Sequence, residues 1–481
     1  MPIPFTQIPS ALLVPGQYNE IDNSLAGSAG EIKRALIIAY KSSAGTAEAG
    51  TPVRVLAEAK AAALFGHGSP AACMASAFLE INKIEECWVL PVEAPKAATP
   101  WVKKFSIHAA SVQQGAVAIT INGTKLDAAA ISAGSDAVAV AAAILARINS
   151  DLTSPVLAEA LGGSEFAVKS VVPGSQGNDN TVVITSEAFG LTITEGSVTS
   201  GTQTANLKPL LKKLGSVRYN YIASDFNDAD NISALAAELT DRYTALRQIG
   251  GRAFIALSGN IEAVLKQAQT VNNPHIVLVP RGENPQLPAE WSARWCAAAS
   301  RILADDPAAN TYDLAVPGLH SKLEIEFYTR QSLLMAGVAT FRTDATGDVL
   351  IERLVTTYTE NTDGGRDTSY LDVQVTETVD AIRTSINATA KKRYKTWKLA
   401  STKENFGSGA KVMTVGIFRS FLCELYQEIF IKQNRWCQDF DGYKNSLLIE
   451  VRKGSKTWLE YSHQPNLIGQ FLIGSGLTQF K

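Results

Sequence analysis

Gly66-His67-Gly68-Ser69-Pro70-Ala71 has the spacing G-x-G-x-x-A, the pattern in which glycines let a tight turn bring backbone amides against a dinucleotide pyrophosphate at a helix N-terminus. That chemistry needs a strand immediately before the first glycine, and here an alanine-rich helical segment precedes it. The hexapeptide is therefore expected to be a capped turn, with Ser69 as N-cap and Pro70 at the first helical position. Gly407-Ser408-Gly409-Ala410-Lys411 sets a lysine behind glycines but lacks G-x-x-x-x-G-K-[ST], so it reads as a loop before a helix. The five histidines, His67, His108, His275, His320 and His463, stand far apart, and none pairs with another His or a Cys at a ligand spacing. There is no G-x-S-x-G elbow. Asp305-Asp306 is the one adjacent acid pair weighed as catalytic; Pro307 follows it and neighbouring side chains on a helix point apart, so it is expected to end a helix. With no nucleophile, base, metal or phosphate motif, the sequence points to a chain that is not an enzyme and needs no cofactor.

The run Lys391-Lys392-Arg393-Tyr394-Lys395-Thr396-Trp397-Lys398 is the most suggestive local feature. Cations interleaved with aromatics bind single-stranded nucleic acid by charge and stacking. The same residues at the end of a helix are favoured by the macrodipole and form a solvated end, or they meet an acidic protein surface. The chain as a whole offers no electrostatic drive toward nucleic acid, with 44 Lys plus Arg against 46 Asp plus Glu and a formal charge of −2. Charge is segregated, however. Residues 366–481 carry 17 Lys plus Arg and 11 Asp plus Glu, a net +6, which leaves −8 on the remainder.

The elements that position these residues follow from pattern. At 481 residues, 46% hydrophobic and 19% charged, the chain folds and has room for about three domains. Five scattered cysteines without a C-x-x-C pair indicate neither a disulfide framework nor a zinc ribbon, and suit a reducing compartment. Met1 to Gly16 has no basic residue and is broken by four prolines, unlike a secretory signal, and the longest apolar run, Ala137 to Ala146, is half a membrane span. From Arg34, strand and helix alternate: strands at 35–40, 87–92, 218–223, 253–257 and 275–280, and helices at 55–65, 70–82, 229–248, 261–271 and 288–304. This grammar predicts an α/β layered core. It is interrupted over 96–206 by an α+β module. There Asn122-Gly123 signals a tight hairpin, Ser135-Asp136 caps a short helix, and strands are expected at 166–172, 181–185 and 191–194. Beyond residue 366, helices are expected at 371–395 and 411–433 and strands at 446–451, 457–461 and 467–473. The resulting division is an N-terminal arm, 1–30; an α/β core, 31–95 plus 207–365; an inserted outer domain, 96–206; a C-terminal α+β inner domain, 366–465; and a C-terminal arm, 466–481.

The first 30 residues hold too many prolines for a helix and too few apolar residues for their own core, so Phe5, Ile8, Leu12 and Val14 seek another surface. Several segments in register then resemble the contractile tail sheath proteins of Mu-like phages and prophages. They are Pro15-Gly16-x-Tyr18-x-Glu20-x-Asp22-Asn23-Ser24, Phe65-Gly66-x-Gly68-Ser69, Tyr219-Asn220-Tyr221-Ile222-Ala223, Arg247-Gln248-Ile249-Gly250-Gly251, Asn273-Pro274-His275, Ala289-Glu290-Trp291, Ile351 to Tyr358, Ser369 to Val373, and Pro465-Asn466-Leu467 to Gln479-Phe480. Tyr461-Ser462-His463-Gln464 and Lys481 depart from the pattern.

The resemblance implies a helical homopolymer of six-fold rings around a tail tube, ending on baseplate and tail terminator proteins, assembled in the host bacterial cytoplasm and resident in the virion. Strand-donating arms would knit the subunits, through Ile3, Phe5, Ile8, Leu12 and Val14 at one end and Leu467, Phe471, Ile473, Leu477 and Phe480 at the other. Lys391, Lys392, Arg393, Lys395 and Lys398 become candidates to face the tube. Contraction would release energy held in the difference between two lattices, with no nucleotide, direct nucleic-acid contact or membrane insertion. Two rival classes are a shell-forming assembly protein that does not contract and a phage-associated enzyme acting on host surfaces.

Overall fold

A computed structural model describes residues 33–401, 404, 406 and 410–480. The expectations placed on Ile3, Phe5, Ile8, Leu12 and Val14, and most of the 407–411 loop, lie outside these residues.

Six short apolar runs form one sheet whose spatial order is Ile276–Gly282, Arg252–Ser258, Tyr221–Ser224, Arg34–Tyr40, Glu86–Val92 and Val53–Val55. All neighbours are parallel except Val53–Val55, which runs antiparallel on the edge. Leu36, Ile37 and Ile38 are fully buried, as a strand covered on both faces by helices must be. The helices Pro70–Ile81 and Pro288–Leu303 pack on it, the latter burying Trp291 and Trp295. A three-stranded antiparallel sheet, Leu314–His320, Asp348–Arg353 and Thr340–Thr343, extends the same core.

The inserted segment leaves after Glu86–Val92 and the chain re-enters the sheet at Tyr221–Ser224. It has its own apolar cluster, from Trp101 to Leu191, between two antiparallel sheets and the helix Ala137–Ser150. Asp136 accepts from the Ala139 amide as that helix's N-cap. Asn122 and Gly123 join Gly115–Ile121 to Thr124–Lys125 with φ of 50° and 81°, the left-handed pair a type I′ turn requires. Strands also form at Val102–Ala109 and Val156–Gly162, which the sequence reading leaves unassigned.

Several boundaries move. The segment expected as one helix over 55–65 divides into the edge strand Val53–Val55 and the helix Glu58–Phe65. The helix begun at Ala229 stops at Tyr243, not Gln248. There the Tyr243 ring packs on His275, with centroids 4.7 Å apart, and under the Arg383 guanidinium at 4.3 Å. The expected helix 411–433 starts only at Val415, where Thr414 caps it, and continues as a π-helical stretch over Leu425–Gln433. Residue 446 ends the helix Phe440–Ser446 instead of opening a strand, and the strand expected over 467–473 reduces to Asn466–Leu467.

The long helix Val373–Tyr394 joins two cores. Leu371 and Val373 belong to the large α/β cluster, whereas Ile382 and Ile386 belong to a third cluster built with Phe421, Tyr426, Phe430 and Tyr443. The N-terminal half of the helix is tied to the sheet through buried polar groups. Arg252 Nε donates to Thr376 Oγ1 at 2.7 Å and lies 3.2 Å from Glu377, and Arg218 pairs with Asp380.

Candidate assembly surfaces

The C-terminal stretch is anchored by an aromatic stack and then left open. Tyr426 and Tyr443 stack at 3.6 Å and 4°. The Tyr426 hydroxyl donates to the Gln438 carbonyl at 2.7 Å and accepts from the Asn466 amide at 3.0 Å. Burial pushes the Tyr426 phenol up to about 12, so it stays a donor across the ordinary pH range. Tyr443 reaches His463 Nδ1 at 3.2 Å. These contacts hold the two-residue ladder in which Cys437 opposes Leu467, and the Ile468 amide extends it to the Trp436 carbonyl at 2.9 Å. Past that point no ladder forms among the described residues. Phe471, Ile473, Leu477 and Phe480 are 84%, 78%, 85% and 94% exposed, and among the described residues the Gln470 to Ala308 and Asn310 to Phe471 hydrogen bonds, at 3.0 and 3.2 Å, tether the segment to the core. Scattered apolar residues at a surface are ordinary, but four large ones on an unpaired extended segment need a partner.

The basic run behaves less uniformly. Lys391, Lys392 and Arg393 occupy the last turn of Val373–Tyr394, Lys395 follows, and Lys398 begins a two-residue strand paired with Val412–Met413. All five are exposed. Arg393 is engaged within the chain, 2.9 Å from Glu424 and over the Phe421 ring. Tyr394 packs edge-on against Phe421 and Trp397, at 5.3 and 4.8 Å. The interleaved tyrosine therefore serves the subunit core and is unavailable as a stacking platform. What remains is a patch of lysines.

The motifs weighed for catalysis have structural employment. Gly66 through Ala71 follows the helix Glu58–Phe65, with no strand before it; the Ser69 hydroxyl donates to the Gly66 carbonyl and accepts from the Ala72 amide. A Cβ on Gly68, at φ 65°, would stand 2.0 Å from the Ser154 carbonyl of the inserted module, so the space a pyrophosphate needs is filled by backbone. Asp306 Oδ1 accepts from the Trp436 indole at 3.1 Å and from the Ala308 amide at 3.0 Å, a turn that also ties the third cluster to the first. Among the described residues no group of three or more His, Cys, Asp or Glu is placed to hold a metal, and no helix is long and apolar enough to cross a membrane. The tyrosine stack and the Asp306 to Trp436 contact were missed by the sequence reading; Asp306 was singled out only as half of an acid pair, and no spacing in the sequence announces either contact.

Residues 200–357 match the family described as the phage tail sheath protein central domain. Over 491 aligned positions the chain is 29% identical to the Mu-like prophage FluMu tail sheath protein of Haemophilus influenzae, covering 100% of both. Among solved structures it is similar to the sheath tail protein of Desulfitobacterium hafniense, at 11% identity and a TM-score of 0.48 over 94% of this chain and 100% of that one. It is likewise similar to the helical sheath of the anti-feeding prophage in its contracted state, at 12% identity and a TM-score of 0.48 over 98% and 99%.

Proposed function

We infer, from its similarity to a Mu-like prophage tail sheath protein over the full length and to the sheath central domain over residues 200–357, that this chain is a phage tail sheath protein, the structural subunit of a contractile sheath. It polymerises as a helical tube around an inner tail tube and contracts to drive that tube through a host envelope. One observation supports this above the others: a C-terminal segment pinned at Asn466–Leu467 that then presents Phe471, Ile473, Leu477 and Phe480 to solvent. Such a segment gains backbone hydrogen bonds and burial only by adding to another subunit's sheet, and a heterologous contact that does not close makes an open helix. Ile3, Phe5, Ile8, Leu12 and Val14, which lie outside the described residues, are the proposed counterpart at the other end. On this reading 31–95 plus 207–365 form the shell's core, 96–206 project outward, 366–465 lie inward, and baseplate and terminator proteins bound the polymer, which resides in the virion.

Negative-stain microscopy of the purified chain, full length and without residues 1–16, tests the assembly. Tubes of uniform diameter are expected from the full chain and none from the truncation. Uniform small particles from both, persisting when the cognate tail tube is added, would overturn the reading.

The lysine patch is the proposed contact with an acidic tube. Lys391→Glu, Lys395→Glu and Lys398→Glu together are expected to weaken co-assembly on the tube about tenfold per subunit at physiological salt, taking about 0.5 kcal/mol for each exposed charge contact. Co-sedimentation with tubes measures it. Binding equal to wild type, with the same salt dependence, would remove the patch from the interface.

A further inference from the structure

The C-terminal segment leaves the subunit along the seam between two cores. Cys437 opposes Leu467 within the third apolar cluster, and the Ile468 amide donates to the Trp436 carbonyl at 2.9 Å. Two residues further on, the partner changes. Gln470 Nε2 donates to the Ala308 carbonyl at 3.0 Å, and Asn310 Nδ2 donates to the Phe471 carbonyl at 3.2 Å. Ala308 and Asn310 lie on the turn that follows Pro288–Leu303, a helix buried in the α/β core. Residues 468, 470 and 471 are therefore bonded to both sides of the seam.

The turn that receives the segment is braced independently of it. The Asp305 and Asp306 amides both donate to the Ile302 carbonyl, at 3.2 and 3.0 Å, so the turn continues directly from the helix. Asp306 Oδ1 accepts from the Ala308 amide and, across the seam, from the Trp436 indole. From the long helix Val373–Tyr394, the buried Gln374 donates to the Ala309 carbonyl at 3.3 Å and to Thr311 Oγ1 at 3.0 Å. The Asn310 side chain is held as well, because its Oδ1 accepts from the Tyr312 amide at 2.9 Å. An amide whose oxygen is committed to its own turn presents its nitrogen in one direction, and here that direction is the Phe471 carbonyl.

These bonds decide which way the segment faces. Along an extended chain, successive side chains point to opposite faces and successive carbonyls to opposite edges, so fixing one carbonyl fixes the roll of its neighbours. Tying the Phe471 carbonyl to Asn310 turns that edge toward its own subunit. Phe471 and Ile473 are then presented to solvent together, whereas Leu472 between them is half-buried. A free roll, or a slip by one residue, would exchange the two faces.

On the reading that this segment donates a strand to a neighbouring subunit, we propose that Asn310 and Gln470 are its positioning residues: with the 306–312 turn they form a bracket that fixes the direction and roll of the segment, so that Phe471 and Ile473 meet the neighbour already turned outward. The effect is one of preorganisation. The two bonds add little to the fold, since the Asn310 contact is exposed and the Gln470 contact part-buried. Each residue ordered before association, however, is an entropy cost that association no longer carries. Because Trp436 and Ala308 stand on different cores, the bracket also ties the direction of the segment to the position of one core against the other.

Double electron–electron resonance on the full, unassembled chain tests the bracket. Spin labels on genetically encoded residues, one at Arg301 in the last turn of Pro288–Leu303 and one at the exposed Ile473, leave the cysteines untouched. The otherwise unsubstituted chain should give one narrow distance. Asn310→Asp with Gln470→Glu keeps both side-chain lengths and the oxygen that accepts from Tyr312, but removes both donors, and should replace that distance with a broad distribution. Asn310→Ala with Gln470→Ala should do the same without adding charge. Both pairs should melt within about 2 °C of wild type, as surface substitutions do. In sedimentation of unlabelled chains, both should raise the concentration needed for tubes about tenfold, the factor for roughly one net hydrogen bond's worth of lost preorganisation per added subunit. A wild-type distribution as broad as the variants', variants that keep the narrow distance, or variants that broaden it yet form tubes at the wild-type concentration would each overturn the proposal. A wild-type chain that makes no tubes even with the cognate tail tube counts instead against the sheath reading, and the distance measurement still decides the bracket.

Discussion

Removing residues 469–481 is expected to leave a folded subunit that makes no tubes. The deleted segment gives its own subunit two hydrogen bonds among the described residues, the part-buried Gln470 to Ala308 and the exposed Asn310 to Phe471, together about 1–3 kcal/mol at most. The ladder at Cys437 and Leu467, the Ile468 bond and the Tyr426–Tyr443 stack all remain. What is lost is Phe471, Ile473, Leu477 and Phe480, almost fully exposed in the isolated chain. Burying each against a neighbour contributes about 1.5–3 kcal/mol, a gross 6–12 kcal/mol per contact before the cost of ordering the segment. If only a quarter survives that cost, about 1.5–3 kcal/mol per subunit, the loss multiplied over a ring still abolishes a polymer. Microscopy and sedimentation read assembly, and thermal melting reads the subunit. Tubes at wild-type yield, or a collapsed melting transition without the tail, would each contradict the account. Phe471→Ser with Ile473→Ser should reproduce most of the defect with no chain removed.

Arg252→Ala is expected to destabilise the subunit core by about 3–5 kcal/mol, the range for leaving a buried charge without its partner. Arg252 is 0% exposed and holds Thr376 and Glu377 of the long helix from one side and the Gly251 carbonyl from the other. His275 beside it carries no charge to compensate, since burial, then Arg252 and Arg383, depress its imidazole to about 2. Without the guanidinium, Glu377 keeps, among the described residues, the Tyr221 hydroxyl at 3.4 Å. Urea unfolding followed by the fluorescence of buried Trp291 and Trp295 reports on this core. Glu377→Ala alone should also lower the midpoint, and the double substitution should cost clearly less than the two single costs added together. An unchanged midpoint in Arg252→Ala, or strict additivity, would show that the pair does not hold the helix. Because the same helix continues into the cluster of Ile382, Ile386 and Tyr426, a loosened N-terminal half should also impair assembly, through the subunit's shape and not through its contact surfaces.

Much of the mixed α/β architecture was legible from residue order alone. Strands of apolar residues between capped helices, the Ser69 cap, the Asn122-Gly123 turn and the apolar independence of the insert all depend on neighbours a few positions away, so local chemistry decides them. The failures share a cause as well. Val102–Ala109 carries two lysines and declares itself a strand only when Leu191–Thr199 and Glu165–Ser170 flank it. Residues 468–473 have strand composition but, among the described residues, no strand pairs with them. β structure takes its hydrogen bonds from distant chain, and composition cannot say whether that chain is present.

The candidate surfaces divide in the same way. The amino-acid sequence by itself determined that the C-terminal residues are apolar and alternate, and that positive charge gathers after residue 366. The tertiary structure alone decided that Arg393 pairs with Glu424 and Tyr394 packs on Phe421, and that Asp306 anchors Trp436. The physical reason is that a side chain's charge and polarity travel with it, whereas its desolvation and its hydrogen-bond partners exist only once remote segments have packed around it.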